Sequence, residues 1–135
     1  MTKFRYQKYK KETSFKIFKV AIDDLYSAEF LFTAPKYRPE TILYLAQQSI
    51  EKAIKAFLIY NEKSVPLTHD LDILINELPE EISKVLPLGI GSLTQYATIQ
   101  RYLDGDEIIT PNDIQESIAV AKKFLITIEN TIHKP

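Results

Sequence analysis

The fold turns on the stretch QQSIEKAIKAFLIYNEKSVPLTHDLDILI, from Gln47 to Ile75. Its first part repeats apolar residues every three or four positions, the period of an α-helix. Its second part supplies a proline-bearing loop and then Thr68-His69-Asp70, a start signal for another helix. Extended backward, the first pattern predicts a helix that begins at Pro39 and runs to about Tyr60. Proline suits a first turn because the N–H it lacks would have had no partner there. Leu43, Ala46, Ile50, Ala53 and Phe57 form its main stripe, but Ile42, Tyr44, Leu45, Ile54, Ala56, Leu58 and Ile59 point in other directions. A helix apolar over much more than the usual ~100° of its surface is either central or faces a second subunit.

Upstream, Phe18, Ala21, Leu25, Ala28 and Phe32 predict a first helix, capped by the hydroxyl of Thr13 or Ser14 and ended near Ala34 by a loop bracketed by Pro35 and Pro39. Downstream, Thr68 is expected to cap a shorter helix through Leu78, and Pro79 to open a further short turn that Pro87 stops. Ile90 to about Leu103, with Leu93 and Ala97, reads as a fourth long element. Thr110, Pro111 and Asp113 give cap, first-turn proline and an acid three positions after the cap, so a last helix starts there. Its stripe is Ile114, Ile118, Ala121, Leu125, Ile128 and Ile132. No long period-two pattern competes. The expectation is all-α: an antiparallel up-and-down bundle of four or five helices, with a short extra helix between its two halves. One domain would span residues 13–135, behind a basic, aromatic arm at 1–12.

Composition narrows the functions. With 17 Lys+Arg against 18 Asp+Glu in 135 residues, no protein-wide field recruits nucleic acid, so such binding must be local. The absence of cysteine excludes disulfides and thiolate chemistry. No uninterrupted apolar run approaches the ~20 residues of a membrane span, and the expected location is cytoplasmic with no membrane partner. The surplus apolar surface of the second and last helices predicts a homodimer. The alternative is that the arm and the short middle helices cover it.

Polar groups are few enough to weigh singly. Gln47, Gln48, Glu51, Lys52 and Lys55 lie along the second helix, with Gln48/Lys52 and Glu51/Lys55 at i, i+4. On pattern alone this is a solvated stripe whose pairs contribute only ~0.2–0.5 kcal/mol each. His69, just after a cap, would sit in the first turn of a helix, where the dipole keeps the ring neutral. It would then either contact a ligand or pin the preceding loop. Arg101-Tyr102 would grip phosphate and stack on a base, or Arg101 would pair with Asp104, Asp106 or Glu107. In the arm, Lys3, Arg5, Lys8, Lys10 and Lys11 interleave with Phe4, Tyr6 and Tyr9, which reads as an RNA-binding strip or as an arm lying on the bundle. Glu129 and His133 alone make no metal site, and Gly89-Ile90-Gly91 lacks the lysine of a phosphate loop, so neither metal nor cofactor is expected.

The series Gln47-Gln48, Glu51-Lys52, Lys55-Ala56, then Thr68-His69-Asp70-Leu71, then Arg101-Tyr102, an acidic turn, and Thr110 with Asp113 resembles stand-alone prokaryotic HEPN domains from about Val20 to Ile132. The resemblance implies a helical bundle, commonly dimeric, similar to the substrate-binding half of some antibiotic nucleotidyltransferases. It also implies a nucleotidyltransferase partner in a toxin–antitoxin-like pair. Other branches of that family are metal-independent endoribonucleases, with an Arg, four to six residues and then a His on one helix. Here the arginines are Arg5, Arg38 and Arg101 and the histidines His69 and His133, so that motif is absent. The expectation is a non-catalytic protein that binds a nucleotide or RNA-derived ligand, or docks on a nucleotidyltransferase. Arg101 and Lys52 would hold phosphate, Tyr102 or Tyr44 a base, and Gln48 and His69 would orient the ligand. The alternatives are an endoribonuclease with a composite Arg101/His69 centre and a purely structural interaction module.

Overall fold

The computed structural model describes residues 5–97 and 108–133. Arg101, Tyr102 and the acidic turn after them therefore lie outside the described residues. The long helices are α1 (Thr13–Phe32), α2 (Pro39–Tyr60) and α5 (Pro111–Glu129). Between α2 and α5 come the short helices α3 (Leu71–Ile75) and α4 (Glu80–Ser83) and a 3-10 helix over Ile90–Ala97. The strand β1 (Tyr6–Gln7) pairs antiparallel with β2 (Val65–Pro66), Tyr6 opposite Pro66 and Gln7 opposite Val65. None of the described helices is long and apolar enough to cross a membrane.

α2 is the axis of the bundle. Ile42, Ala46, Ile50, Ala53, Ile54, Ala56 and Leu58 are all completely buried, so more than half of the helix circumference is covered, and the side bearing Thr41, Lys52 and Lys55 stays partly open. α1 runs antiparallel to it, with Asp24 meeting Lys52 and the Phe15 ring edge-on to Tyr60 at 6.0 Å. α5 runs parallel to α2. The Tyr60 hydroxyl near the end of α2 donates to the His133 carbonyl just past α5 at 3.5 Å, while Leu43 shares a hollow with Asp113 and Ser117. The surplus apolar surface of α2 is thus hidden within one chain, by α1, α3, α5, the 3-10 helix and β2. Of the two readings, a central helix or one facing a second subunit, α2 takes the first. Apolar side chains are left outside on α1 instead, where Ile22, Tyr26 and Phe30 recur every four residues, with Tyr26 71% and Phe30 69% exposed.

Helix starts show which local signals prevailed. At α5 the signal is complete: Thr110 Oγ1 accepts from Asp113 N at 3.1 Å while the Asp113 carboxylate accepts from Thr110 N at 2.9 Å, with Pro111 in the first turn. At α1 neither Thr13 nor Ser14 caps. The cap position is Glu12, with helical φ/ψ and no side-chain bond. Residues 10–12 already turn, so Thr13 N and Ser14 N donate to the Lys10 and Lys11 carbonyls, and the Ser14 hydroxyl donates to Lys11 O at 2.6 Å. At α3 the cap is Asp70, whose carboxylate accepts from Asp72 N at 2.9 Å. Thr68 stands two residues before it, its hydroxyl accepting from Asp70 N at 3.1 Å. α3 stops at Ile75 rather than Leu78, and residues 76–78 continue as isolated turns.

The expected fourth long element is, in its described part, a 3-10 helix. With 3.0 residues per turn, Ile90, Leu93 and Tyr96 fall in one line, and the last two are buried. Tyr96 thus takes the inner position that α-helical spacing assigns to Ala97. This winding brings Gly91 against α3 so closely that a Cβ there would lie 2.1 Å from Asp72 Oδ1. α2 ends in a Schellman motif: Lys63 N donates to Leu58 O and Glu62 N to Ile59 O, both at 2.9 Å, with Glu62 at φ 58° where glycine is usual.

Candidate functional site

Adjacent turns of α2 carry Gln47, Gln48, Glu51, Lys52 and Lys55, and three of these lie inside the protein. Gln47 is 0%, Glu51 3% and Gln48 9% exposed, so the expectation of a solvated stripe is corrected. Burying a carboxylate is costly unless it is paired and hydrogen-bonded. Glu51 meets that condition. Its Oε2 accepts from Lys55 Nζ at 3.0 Å, and its Oε1 from Gln47 Nε2 at 3.1 Å and Gln48 Nε2 at 3.4 Å. Gln48 Nε2 also donates to Gln47 Oε1 at 2.7 Å.

The Thr-His-Asp turn closes onto this group. His69 Nδ1 stands 3.0 Å from Glu51 Oε1 and 3.1 Å from Oε2, and the His69 carbonyl accepts from Gln47 Nε2 at 2.9 Å. His69 is therefore not in a helical first turn. It precedes the cap Asp70, and what acts on its ring is the Glu51 carboxylate rather than a helix dipole. The bond pins the loop to α2, yet the side chain stays 67% exposed. Among the described residues, no buried side-chain polar atom lacks a partner.

Glu51 also lines a cleft of about 370 Å³ between the arm, α1, α2 and β2. Ile17, Val20, Ile59, Val65 and Leu67 make its apolar walls, and Tyr9 from the arm stands at its edge. Lys16, Lys52 and Lys55 supply its cations. Lys52 reaches back to Asp24 of α1 at 2.5 Å, not to Gln48, and Lys55 is held by Glu51, whereas no described residue forms an ion pair with the exposed Lys16. The arm is fixed over this end of the protein by the β1–β2 pair, by the Tyr6 hydroxyl donating to Glu77 at 2.9 Å, and by Lys11 over the Tyr60 ring at 4.5 Å. The bond to Glu77, then desolvation and the Glu77 charge, raise the Tyr6 phenol above its usual range.

Of the residues singled out in the sequence, Lys52 lines the cleft, and Gln48 and His69 meet on Glu51. Tyr44 lies on the same stripe of α2 two turns before Glu51, half-buried against the core. Arg101 and Tyr102 fall outside the described residues. The residue that joins the set, Glu51, was absent from the predicted ligand contacts, as were Lys16, Lys55 and Tyr9. A signal for Glu51 did exist: an acid in the middle of an all-round apolar helix has no solvent to face.

The fold is thus a helical bundle with a buried polar seam on α2 beside a lysine-bearing cleft. The sequence pattern of the HEPN domain matches residues 16–131, and the chain belongs to that family. Among solved structures it is similar to ST0689, an archaeal HEPN homologue, at 25% identity and TM-score 0.68, over 93% of this chain and 99% of that one. It is also similar in fold to TT1696 from Thermus thermophilus, at 22% identity and TM-score 0.66, over 88% and 98% of the two chains. No curated protein matches it.

Proposed function

We propose that this HEPN protein acts by binding, not by catalysis, and that its ligand is a nucleotide or a short RNA-derived fragment seated in the cleft beside Glu51. One observation carries the reading: a buried carboxylate that bonds both Lys55 and His69 lines a cleft that also offers Lys16, Lys52 and Tyr9. Ammonium groups attract phosphate, and an exposed ring gives a base a face to stack on. Arg101 and Tyr102 belong to the same reading through the family pattern. The protein works as a homodimer, with the Ile22, Tyr26 and Phe30 stripe of α1 as the interface. The partner class is a nucleotidyltransferase in a toxin–antitoxin-like pair, as the family resemblance implies.

Titrating AMP and a short single-stranded RNA against wild type and Lys16→Ala tests this. Lys16 is exposed, so its loss spares the fold while weakening binding and flattening its salt dependence. Identical affinity and salt slope for the two proteins would take the cleft out of consideration. A second reading, a metal-independent endoribonuclease centred on His69 and Arg101, is favoured by the same histidine–carboxylate contact. It requires RNA cleavage in chelator that disappears in His69→Ala.

A further inference from the structure

Glu51 and His69 differ in how their bonding capacity is used. The Glu51 carboxylate is surrounded by donors from Lys55, Gln47 and Gln48, which makes it an acceptor toward anything else that approaches. The orientation of the Gln47 amide is set independently, because the His69 carbonyl can only accept and so the Nε2 end must face it. His69 Nδ1, 3.0 and 3.1 Å from the two carboxylate oxygens, is therefore the ring nitrogen that carries hydrogen. In a neutral imidazole the lone pair then sits on Nε2. Among the described residues nothing bonds Nε2, and the side chain is 67% exposed.

The geometry points to Glu51 as a positioning residue that locks His69 in its Nδ1–H form, so that Nε2 accepts a hydrogen bond from a sugar hydroxyl of a bound ribonucleotide. The inference rests on the ligand reading above and sharpens it in one respect, ribose rather than deoxyribose. Two features select the hydroxyl. A lone pair on Nε2 cannot bond a phosphate oxygen, which is also an acceptor, so the ring requires a donor. Lys55 and His69 meet on a single carboxylate, Lys55 on Oε2 and His69 Nδ1 within hydrogen-bond reach of both oxygens. A phosphate held by the lysines brings its own ribose hydroxyls, the donors nearest to it in a nucleotide, toward the ring. The amino groups of a base lie beyond the sugar.

The test combines a spectroscopic and a binding measurement on the full chain. Imidazole 15N–1H correlation spectra at neutral pH should show His69 with a protonated Nδ1 and a lone-pair Nε2, and Glu51→Gln should bring in the Nε2–H form. Wild type should bind AMP more tightly than 2′,3′-dideoxy-AMP by roughly three- to tenfold, the range of one hydrogen bond, with 2′-deoxy-AMP between them or equal to one of the two. His69→Ala, which removes the ring but leaves Glu51 its bonds to Lys55, Gln47 and Gln48, should bind all three alike. A protonated Nε2 in wild type, or a preference for AMP that survives His69→Ala, would overturn the assignment while leaving the cleft as a ligand site. Failure of wild type to bind any of the three nucleotides would remove both.

Discussion

α1 and α2 are helices of similar length packed side by side, and they depart from the usual sorting of side chains in opposite senses. α2 puts polar groups inside: Gln47, Gln48 and Glu51 are buried among Ile50, Ile54 and Leu58. α1 leaves apolar groups outside, with Ile22, Tyr26 and Phe30 in solvent along one line. A buried polar residue and an exposed apolar patch are each more informative than the reverse. The difference separates two tasks. α2 holds the fold together around a charged seam that one side of the protein can reach, and α1 offers a surface that folding of the single chain does not use.

The largest effect should come from breaking the seam. Glu51→Ala strands Lys55, Gln47 and Gln48 and releases the His69 turn, and should cost about 3–5 kcal/mol in a denaturant melt. Glu51→Gln, which keeps an acceptor, should cost distinctly less. If the two variants melt alike, the seam is not organised by the carboxylate charge. The ion pair that joins the two helices is only partly buried, so Asp24→Asn should cost no more than about 1 kcal/mol, and less as salt is added.

On α1 the contrast should invert. Tyr26→Lys with Phe30→Lys should change folding stability by within about 0.5 kcal/mol per site, because neither side chain is packed. The pair should nevertheless convert a dimer to a monomer in sedimentation, and unchanged association would move the interface elsewhere. The smallest effect concerns the arm over the cleft. The Tyr6 phenol is raised in the folded state, so its bond to Glu77 supports the arm fully below the unfolded value near 10.0, and that support is lost as pH rises through the folded value. Protection of the residue 5–9 amides, taken relative to the intrinsic exchange rate at each pH, should fall across that window in wild type and stay flat in Tyr6→Phe.

Much of this was legible because it is local. Thr110, Pro111 and Asp113 announce the start of α5 without reference to any other segment, and the three-four stripes of α1, α2 and α5 name their buried faces. The misread starts fail for an equally physical reason. A hydroxyl caps only if an N–H is left for it, and at Thr13 the preceding turn had already supplied carbonyls to the first amides. Gly91 enters the sequence reading within a failed phosphate-loop match, whereas in the fold the Asp72 side chain of α3 occupies the space a Cβ there would need.

Residue order by itself determined the class, an all-α HEPN bundle, since periodicity, caps and the Gln-Gln, Glu-Lys, Thr-His-Asp series are properties of neighbours along the chain. Only tertiary packing decided that the surplus apolar face of α2 closes within one chain and that Glu51 joins His69. Both depend on which distant segment arrives against the helix. Burial and the pairing of a charge are properties of that arrival, and no spacing along α2 specifies them.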